Sequence, residues 1–359
     1  MPRRLAETLV PPIRRKRNAL FLPRDGRDQT RHFPMMPNEM KSPGTPLIVG
    51  QGLAGSCLAW EFVRRGVPFR IADLGTGGSS RVAAGLINPI TGKNFEPSWR
   101  IAEFYPQAMA FYRSLEEKFG AAIWHPHPVL RLASSEKEWA KISAKLDLPS
   151  VRPWLGAAHA VPTGFLGGVE LIGGGWLDTR KFLDLSADHF RELGLSADTG
   201  NPRIRCEGAA GLIAGSMGEH RSAKGEILTV RADWPETHIR IGAGGWLVPI
   251  GGGCFRVGST YDWDNLNEQA TPAGLGRITT IAAKLGGADF EIIAHVAGIR
   301  PILRRSQPMV GKDESGDWLF NGLGSKGTLY APGMAAMLAD WILDGVHPAP
   351  EFVFPNALS

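Results

Sequence analysis

The chain has 359 residues, 43% hydrophobic and 21% charged, with a formal net charge of +5. This is enough for a sizeable core, and the balance is that of a globular protein. The longest uncharged stretch, Pro153 to Val169, is broken by Pro, Gly and His, which excludes a membrane-spanning helix. Three scattered cysteines, Cys57, Cys206 and Cys254, exclude a disulfide scaffold and a CxxC zinc or redox site. Reduced thiols in a cytoplasmic protein are expected.

The charge is uneven. The first 45 residues hold ten Lys or Arg against four Asp or Glu, so the remainder is close to neutral at −1. This basic segment has several prolines and no hydrophobic period. Residues 1–44 are therefore expected to be a disordered tail or to precede the true start, with Met35, Met36 and Met40 as candidate starts. A neutral body argues against a large nucleic-acid footprint, and no nucleic-acid partner is expected.

The first structured segment is Pro46-Leu47-Ile48-Val49-Gly50, a short buried strand. The turn Gly50-Gln51-Gly52-Leu53-Ala54-Gly55 follows, then a helix over Leu58 to Arg65 ended by Gly66, and a strand Phe69 to Asp73. Strand, glycine turn, helix and strand form a dinucleotide-binding unit. Gly50 permits the tight turn, Gly52 lets backbone approach a pyrophosphate, and Gly55 lets helix and strand pack closely. The helix N-terminus offers N–H groups and positive partial charge to the phosphates. Asp73, 18 residues beyond Gly55, is placed to accept hydrogen bonds from a ribose. FAD and NAD remain open at this point.

Further along, Ile101 to Phe119 has a helical period, with Phe104, Ala108, Phe111, Tyr112 and Leu115 on its apolar face. His125-x-His127 lacks an acidic or Cys partner at metal spacing, so no metal site is expected. Lys181 to Leu193 reads as a helix. Strand candidates at Ile227 to Arg231, His238 to Ile241, Trp246 to Pro249 and Cys254 to Gly258 suggest an antiparallel sheet. Helices over Leu275 to Leu285 and Met334 to Leu343 close the chain.

Three further segments carry a resemblance. They are Ser79-Ser80-Arg81-Val82-Ala83-Ala84-Gly85-Leu86-Ile87-Asn88-Pro89, Trp246 to Pro249 with Phe255 to Thr260, and Gly298-Ile299-Arg300-Pro301. The last leads through Pro308 to Gly311 into Asn321-Gly322-Leu323-Gly324-Ser325-Lys326-Gly327-Thr328. In this order, with Trp176-Leu177-Asp178 between, the chain resembles the D-amino-acid oxidase family from Leu47 to about Gly345.

The resemblance implies an α/β fold: a split, Rossmann-like FAD-binding domain (GR2-type) with an inserted antiparallel-sheet substrate domain. The expected division gives FAD binding to residues 45–100, 151–225 and 296–346, the substrate domain to 101–150 and 226–295, and a C-terminal tail to 347–359. By resemblance, Gly50, Gly52, Leu53, Ala54, Gly55, Asp73, Ser80, Ala84 and Gly85 line the cofactor. Gly322 is cofactor-binding too, and Gly324, Ser325, Lys326, Gly327 and Thr328 form a loop at the flavin's pyrimidine edge, where Lys326 would stabilise negative charge on the reduced ring. The ordinary alternative for Lys326 is a solvated loop lysine. Arg300 resembles the family arginine that grips a substrate carboxylate in a bidentate fork, and its alternative is a structural Arg paired with an acid. Tyr261 and Trp263 would wall the substrate pocket, or simply pack. Relative to the family, Gly194 to Ala223 is abbreviated, with Arg203 to Gly208 as its strand.

The implied function is FAD-dependent oxidation of a small amine or amino acid by hydride transfer to flavin N5, with oxygen or another acceptor reoxidising the flavin. Two alternatives stand beside it: a flavoprotein that modifies a tRNA wobble uridine, and a flavin-binding protein with little turnover. The neutral body and the lack of a methyltransferase stretch favour the first reading.

Overall fold

The computed structural model describes residues 44–354, except residues 74, 76, 77, 216 and 218. The expected basic tail thus lies outside the described residues through position 43, as do residues 355–359. Two sheets organise the rest. The first has five strands in the order Met309–Lys312, Trp318–Asn321, Arg203–Arg205, Leu47–Val49 and Arg70–Ala72. All neighbours are parallel except the first pair, an antiparallel hairpin. Helices Leu53–Arg65, Ile101–Phe119, Thr179–Glu192 and Gly327–Asp344 share one core with it, built on residues such as Ile48, Leu58, Phe104, Tyr112, Phe182 and Phe320. A parallel strand covered by helices buries both faces, which is why Leu47-Ile48-Val49 is a continuous apolar run and not an alternating one.

The second sheet has seven strands in the order Glu291–Arg300, Ala223–Arg231, Cys254–Gly258, Gly245–Gly251, Ile239–Gly242, Val129–Ala133 and Gly167–Leu171. Its pairs are antiparallel except Val129–Ala133 with Ile239–Gly242. Helix Pro272–Leu285 packs on one face, burying Ile278 and Ile281 against Leu228, Leu247, Phe255 and Val257. The expected antiparallel sheet is therefore present, and wider than its four expected strands.

Several boundaries differ from expectation. Ala223–Arg231 is one nine-residue strand, so a division at 225/226 falls inside it. A division at 295/296 falls inside strand Glu291–Arg300 in the same way. Helix Ile101–Phe119 packs in the nucleotide-sheet core through Phe104, Ala108 and Tyr112, while Gly167–Leu171 closes the edge of the seven-stranded sheet. The expected C-terminal tail docks in part. Phe352, Val353 and Phe354 are buried, and Phe354 N–H donates to the Val310 carbonyl at 3.0 Å, extending the five-stranded sheet edge.

The last helix begins at Gly327, seven residues before the expected Met334, and runs through Pro332. A proline inside a helix lacks the N–H that would reach the carbonyl four residues back. Here that carbonyl, of Thr328, accepts instead from the buried hydroxyl of Tyr112 at 2.8 Å. The substitute donor lets the helix start where the glycine loop ends. No helix among the described residues is long and apolar enough to cross a membrane.

Candidate functional site

The glycine turn forms as expected. Gly50 has φ +96°, and a Cβ on Gly55 would overlap the Gly50 carbonyl oxygen, so both positions require glycine. A Cβ on Gly52 would stand 3.1 Å from Ser80 Oγ, the same oxygen that accepts from Leu53 N–H at 3.1 Å. The turn and the Ser79 segment, 27 residues apart in sequence, thus meet at Ser80. Asp73 makes two bonds within the chain that were not expected. Its Oδ1 accepts from Gln51 N–H at 2.7 Å and its Oδ2 from Gly75 N–H at 2.8 Å. The carboxylate ties the glycine turn to the end of its strand, with lone pairs left for a ribose hydroxyl.

The C-terminal loop comes to the same place. A Cβ on Gly327 would stand 3.0 Å from Leu53 Cδ1, so the starts of helices Leu53–Arg65 and Gly327–Asp344 adjoin. Neither helix is capped by the side chain of its own N-cap residue or has an acidic residue in its first turn, and Ser80 Oγ serves only Leu53 N–H at the first of them. Two positive helix ends beside one another make a place for an anion. Gly324 N–H donates to the Pro301 carbonyl at 2.9 Å, linking this loop to the Arg300 strand. On the other side, a Cβ on Gly298 would stand 3.2 Å from Val82 Cβ. The three segments are therefore contiguous, with Gly298 to Pro301 between the Ser79 segment and the glycine loop.

Gly85 has φ +68°, and a Cβ there would overlap the Leu177 carbonyl oxygen. The backbone before it, around Ala84, is pinned by a residue that the sequence did not single out: Arg256 donates from Nη1 to the Ala83 carbonyl at 2.6 Å, alongside Thr179 Oγ1 at 3.2 Å. Burial pulls the Arg256 guanidinium down from its usual pKa. A signal for it was present. In Cys254–Gly258, Phe255 and Val257 are buried on one face, and period two puts Arg256 on the other. At Gly322, φ is +82° and a Cβ would overlap Leu303, so that position is again glycine for steric reasons.

The two charged candidates are both half-buried cations. Lys326 Nζ donates to Thr91 Oγ1 at 3.1 Å, meets no carboxylate among the described residues, and has its pKa lowered by burial. It is not a solvated loop lysine. Arg300 closes strand Glu291–Arg300 instead of lying in a turn, opposite Ala223. Its guanidinium donates to Ser259 Oγ at 2.7 Å and to the carbonyls of Thr260 at 3.2 Å and Lys224 at 3.3 Å, with the Tyr261 ring centre at 4.1 Å. A Cβ on Gly225 would overlap this guanidinium, so glycine makes its bed. Burial lowers its pKa, with Tyr261 opposing. The alternative of an Arg paired with an acid is not met among the described residues, since every group touching Arg300 is neutral. The nearby buried charges of Lys224 and Glu226 lie 3.9 Å apart and have further partners of their own: Lys224 Nζ reaches Asn267 Oδ1 at 3.2 Å, while Glu226 accepts from Thr271 N–H and Oγ1 at 2.9 and 2.8 Å and lies 2.8 Å from His295 Nε2. Tyr261 and Trp263 are exposed, with ring centres 5.6 Å apart.

FAD fits this arrangement. Among the described residues, Gln51 Nε2 is buried in the glycine turn with no acceptor, Gly52 leaves a cradle that a Cβ would fill, and two helix ends plus Lys326 present positive charge with no carboxylate against them. A pyrophosphate and an electron-poor ring that becomes anionic on reduction are the partners such a site wants.

A split nucleotide sheet with a large antiparallel sheet against it defines a two-sheet FAD-binding flavoenzyme. The chain belongs to the FAD dependent oxidoreductase (DAO) family, whose model matches residues 47–208 and 203–341. It is thus an FAD-dependent oxidoreductase of that type. Its fold is similar to that of glycine oxidase from Geobacillus kaustophilus, with a TM-score of 0.73 and 20% identity over 88% of this chain and 99% of that one. Iminodiacetate oxidase from Chelativorans sp. BNC1 gives a TM-score of 0.70 and 18% identity over 85% and 96%. Curated relatives are tRNA 5-methylaminomethyl-2-thiouridine biosynthesis bifunctional proteins. That of Marinobacter nauticus is 24% identical over 82% of this chain and 55% of its own length. That of Caulobacter vibrioides is 26% identical over 86% and 56%. The chain spans about half the length of these relatives. They overturn the expectation of no nucleic-acid partner, because each is named for tRNA modification.

Proposed function

We propose that this chain oxidises the C–N bond of an amine that carries a carboxylate, with Arg300 as the carboxylate anchor. The observation that carries this reading is a half-buried guanidinium whose contacts among the described residues are all neutral and which keeps N–H donors in reserve. FAD, when bound, supplies the two-electron acceptor for such an oxidation. The chain's own contribution is placement. Arg300 fixes the anionic end of the substrate, and Ser259, Thr260 and Tyr261 hold the guanidinium in one orientation. Lys326 keeps a positive charge beside the glycine loop, where it favours an anion. Spectral titration of the FAD-loaded protein with acetate, a carboxylate that cannot be oxidised as an amine, tests the anchor. Acetate should perturb the flavin bands in wild type and not in Arg300→Ala.

A second reading places that amine on the wobble uridine of a tRNA. The relatives' named product bears a methylamino group on a methylene carbon, the same C–N bond class. One surface feature favours it: a shallow groove lined by His220, Arg221, Ser222 and Trp263 adjoins the Arg300 strand, with Arg221 N–H donating to the Ile302 carbonyl at 2.7 Å. An arginine beside an exposed aromatic suits a phosphate backbone and an unstacked base. Salt-dependent binding of bulk tRNA that weakens in Arg221→Ala and Trp263→Ala supports this reading. Binding unaffected by either substitution contradicts it.

A further inference from the structure

We infer that His159, Glu170 and His238 form a binding site for a divalent transition-metal cation, with Zn2+ as the best chemical match. One donor atom from each lies within 4.8 Å of the other two. The three residues come from separate places. Glu170 stands on edge strand Gly167–Leu171, His238 immediately precedes strand Ile239–Gly242, and His159 lies on the connection leading to the edge strand. In sequence they are 11 and 68 residues apart, with nothing of a metal motif.

The orientation of each group suits coordination. His159 Nδ1 lies 2.8 Å from the Ala160 carbonyl oxygen. A carbonyl only accepts, so Nδ1 carries the hydrogen and Nε2 of the neutral ring carries the lone pair. His238 Nδ1 lies 2.9 Å from Thr237 Oγ1, and its Nε2 lies 2.9 Å from Glu170 Oε2. A hydroxyl can accept as well as donate, so Thr237 can hold the hydrogen on Nδ1 when a cation takes Nε2. The two imidazoles meet edge to face at 4.5 Å. Glu170 is fixed by a different contact: its Oε1 accepts from Ala157 N–H at 3.1 Å, and a Cβ on Gly156 would overlap that oxygen. Its Oε2 is thereby left to the histidines. Such outer partners, each holding a ligand's second atom, are what set ligand geometry at metal sites.

The donor set selects the ion. Two imidazole nitrogens and one carboxylate oxygen suit zinc and its first-row neighbours, and suit calcium or magnesium poorly. The side chains of His238 and Glu170 are 13% and 15% exposed, while His159 is exposed, so a cation can enter from solvent and keep water as a remaining ligand. The bound ion would tie the connection containing His159 to two strands of the sheet, across the intervening strand Val129–Ala133.

The test is calorimetric titration of chelator-stripped, FAD-loaded full chain with ZnCl2, together with Co2+ titration followed by its ligand-field absorption. One ion per chain is expected. His159→Ala, Glu170→Gln and His238→Ala should each weaken binding by about ten-fold or more, with flavin content unchanged. His347→Ala, at another exposed histidine, should bind as wild type. His159 is exposed on a connection, so its replacement leaves the fold intact and is the decisive variant. Wild type that takes up no Zn2+ or Co2+, or His159→Ala that binds both as wild type does, would overturn the inference.

Discussion

The guanidinium of Arg300 lies 4.1 Å from the ring centre of Tyr261, while its Nη2 reaches Ser259 Oγ at 2.7 Å. The aromatic face and the hydroxyl hold the fork flat without neutralising it. Had a carboxylate of the chain occupied this position, the arginine would be structural. Its neutral surroundings are what support the proposal of an incoming carboxylate as its partner.

Arg300→Ala is therefore expected to keep FAD and to weaken binding of carboxylate-bearing amines. Charge-assisted hydrogen bonds are worth about 1.5–3 kcal/mol, or roughly one to two decades of affinity. Arg300→Lys should recover only part of this, because a point charge cannot form the fork. Substrate affinities taken from the concentration dependence of flavin reduction check both.

Gly52→Val should abolish cofactor binding. A Cβ at this position already stands 3.1 Å from Ser80 Oγ, and a branched side chain would fill the cradle that the glycine leaves open. The ratio of flavin absorbance to protein absorbance after purification measures it. A full flavin complement would mean that the turn does not approach the cofactor.

Lys326 yields a prediction about pH. Burial lowers its pKa in the folded protein, so folding disfavours the charged form. The penalty is fully present below the folded pKa, is relieved as pH rises through it, and vanishes above the unfolded value of about 10.4. In the flavin-free protein, stability should therefore gain from this group as pH climbs towards that value. Lys326→Met should remove that gain, flattening the difference in denaturation midpoint between neutral and alkaline buffer. In the FAD-loaded protein the same substitution should make the flavin harder to reduce, read as a more negative midpoint potential.

Tyr112→Phe should cost about 1–3 kcal/mol, because it strips the hydroxyl that donates to the buried Thr328 carbonyl. Pro332 has no N–H to replace it. Denaturant unfolding with an unchanged slope and a lowered midpoint would show the effect.

The parts of the site that are local in sequence were legible. The glycine turn, Asp73 and the Ser79 segment need particular residues at short spacings, and the structure brings them together at Ser80 and Gln51. Arg300 was legible as a residue but not as a strand end, because a Gly-Ile-Arg-Pro string reads as a turn until its pairing with Ala223–Arg231 is known. The helix from Gly327 was truncated in the sequence reading, because Pro332 looks like a breaker and its compensating hydroxyl is 216 residues away. Thr91, Arg256 and the His159, Glu170, His238 group were hidden for the same reason: each acts through contacts that only tertiary folding creates.

The most direct test of the central claim is anaerobic reduction of the bound flavin by a matched panel: glycine and N-substituted glycines on one side, the same amines with the carboxylate replaced by an amide or removed on the other. Wild type should be reduced by the carboxylate-bearing members and much more slowly by the others, and Arg300→Ala should lose that preference while keeping its flavin. Equal reduction of both classes by wild type, with Arg300→Ala indistinguishable from it, would contradict the account.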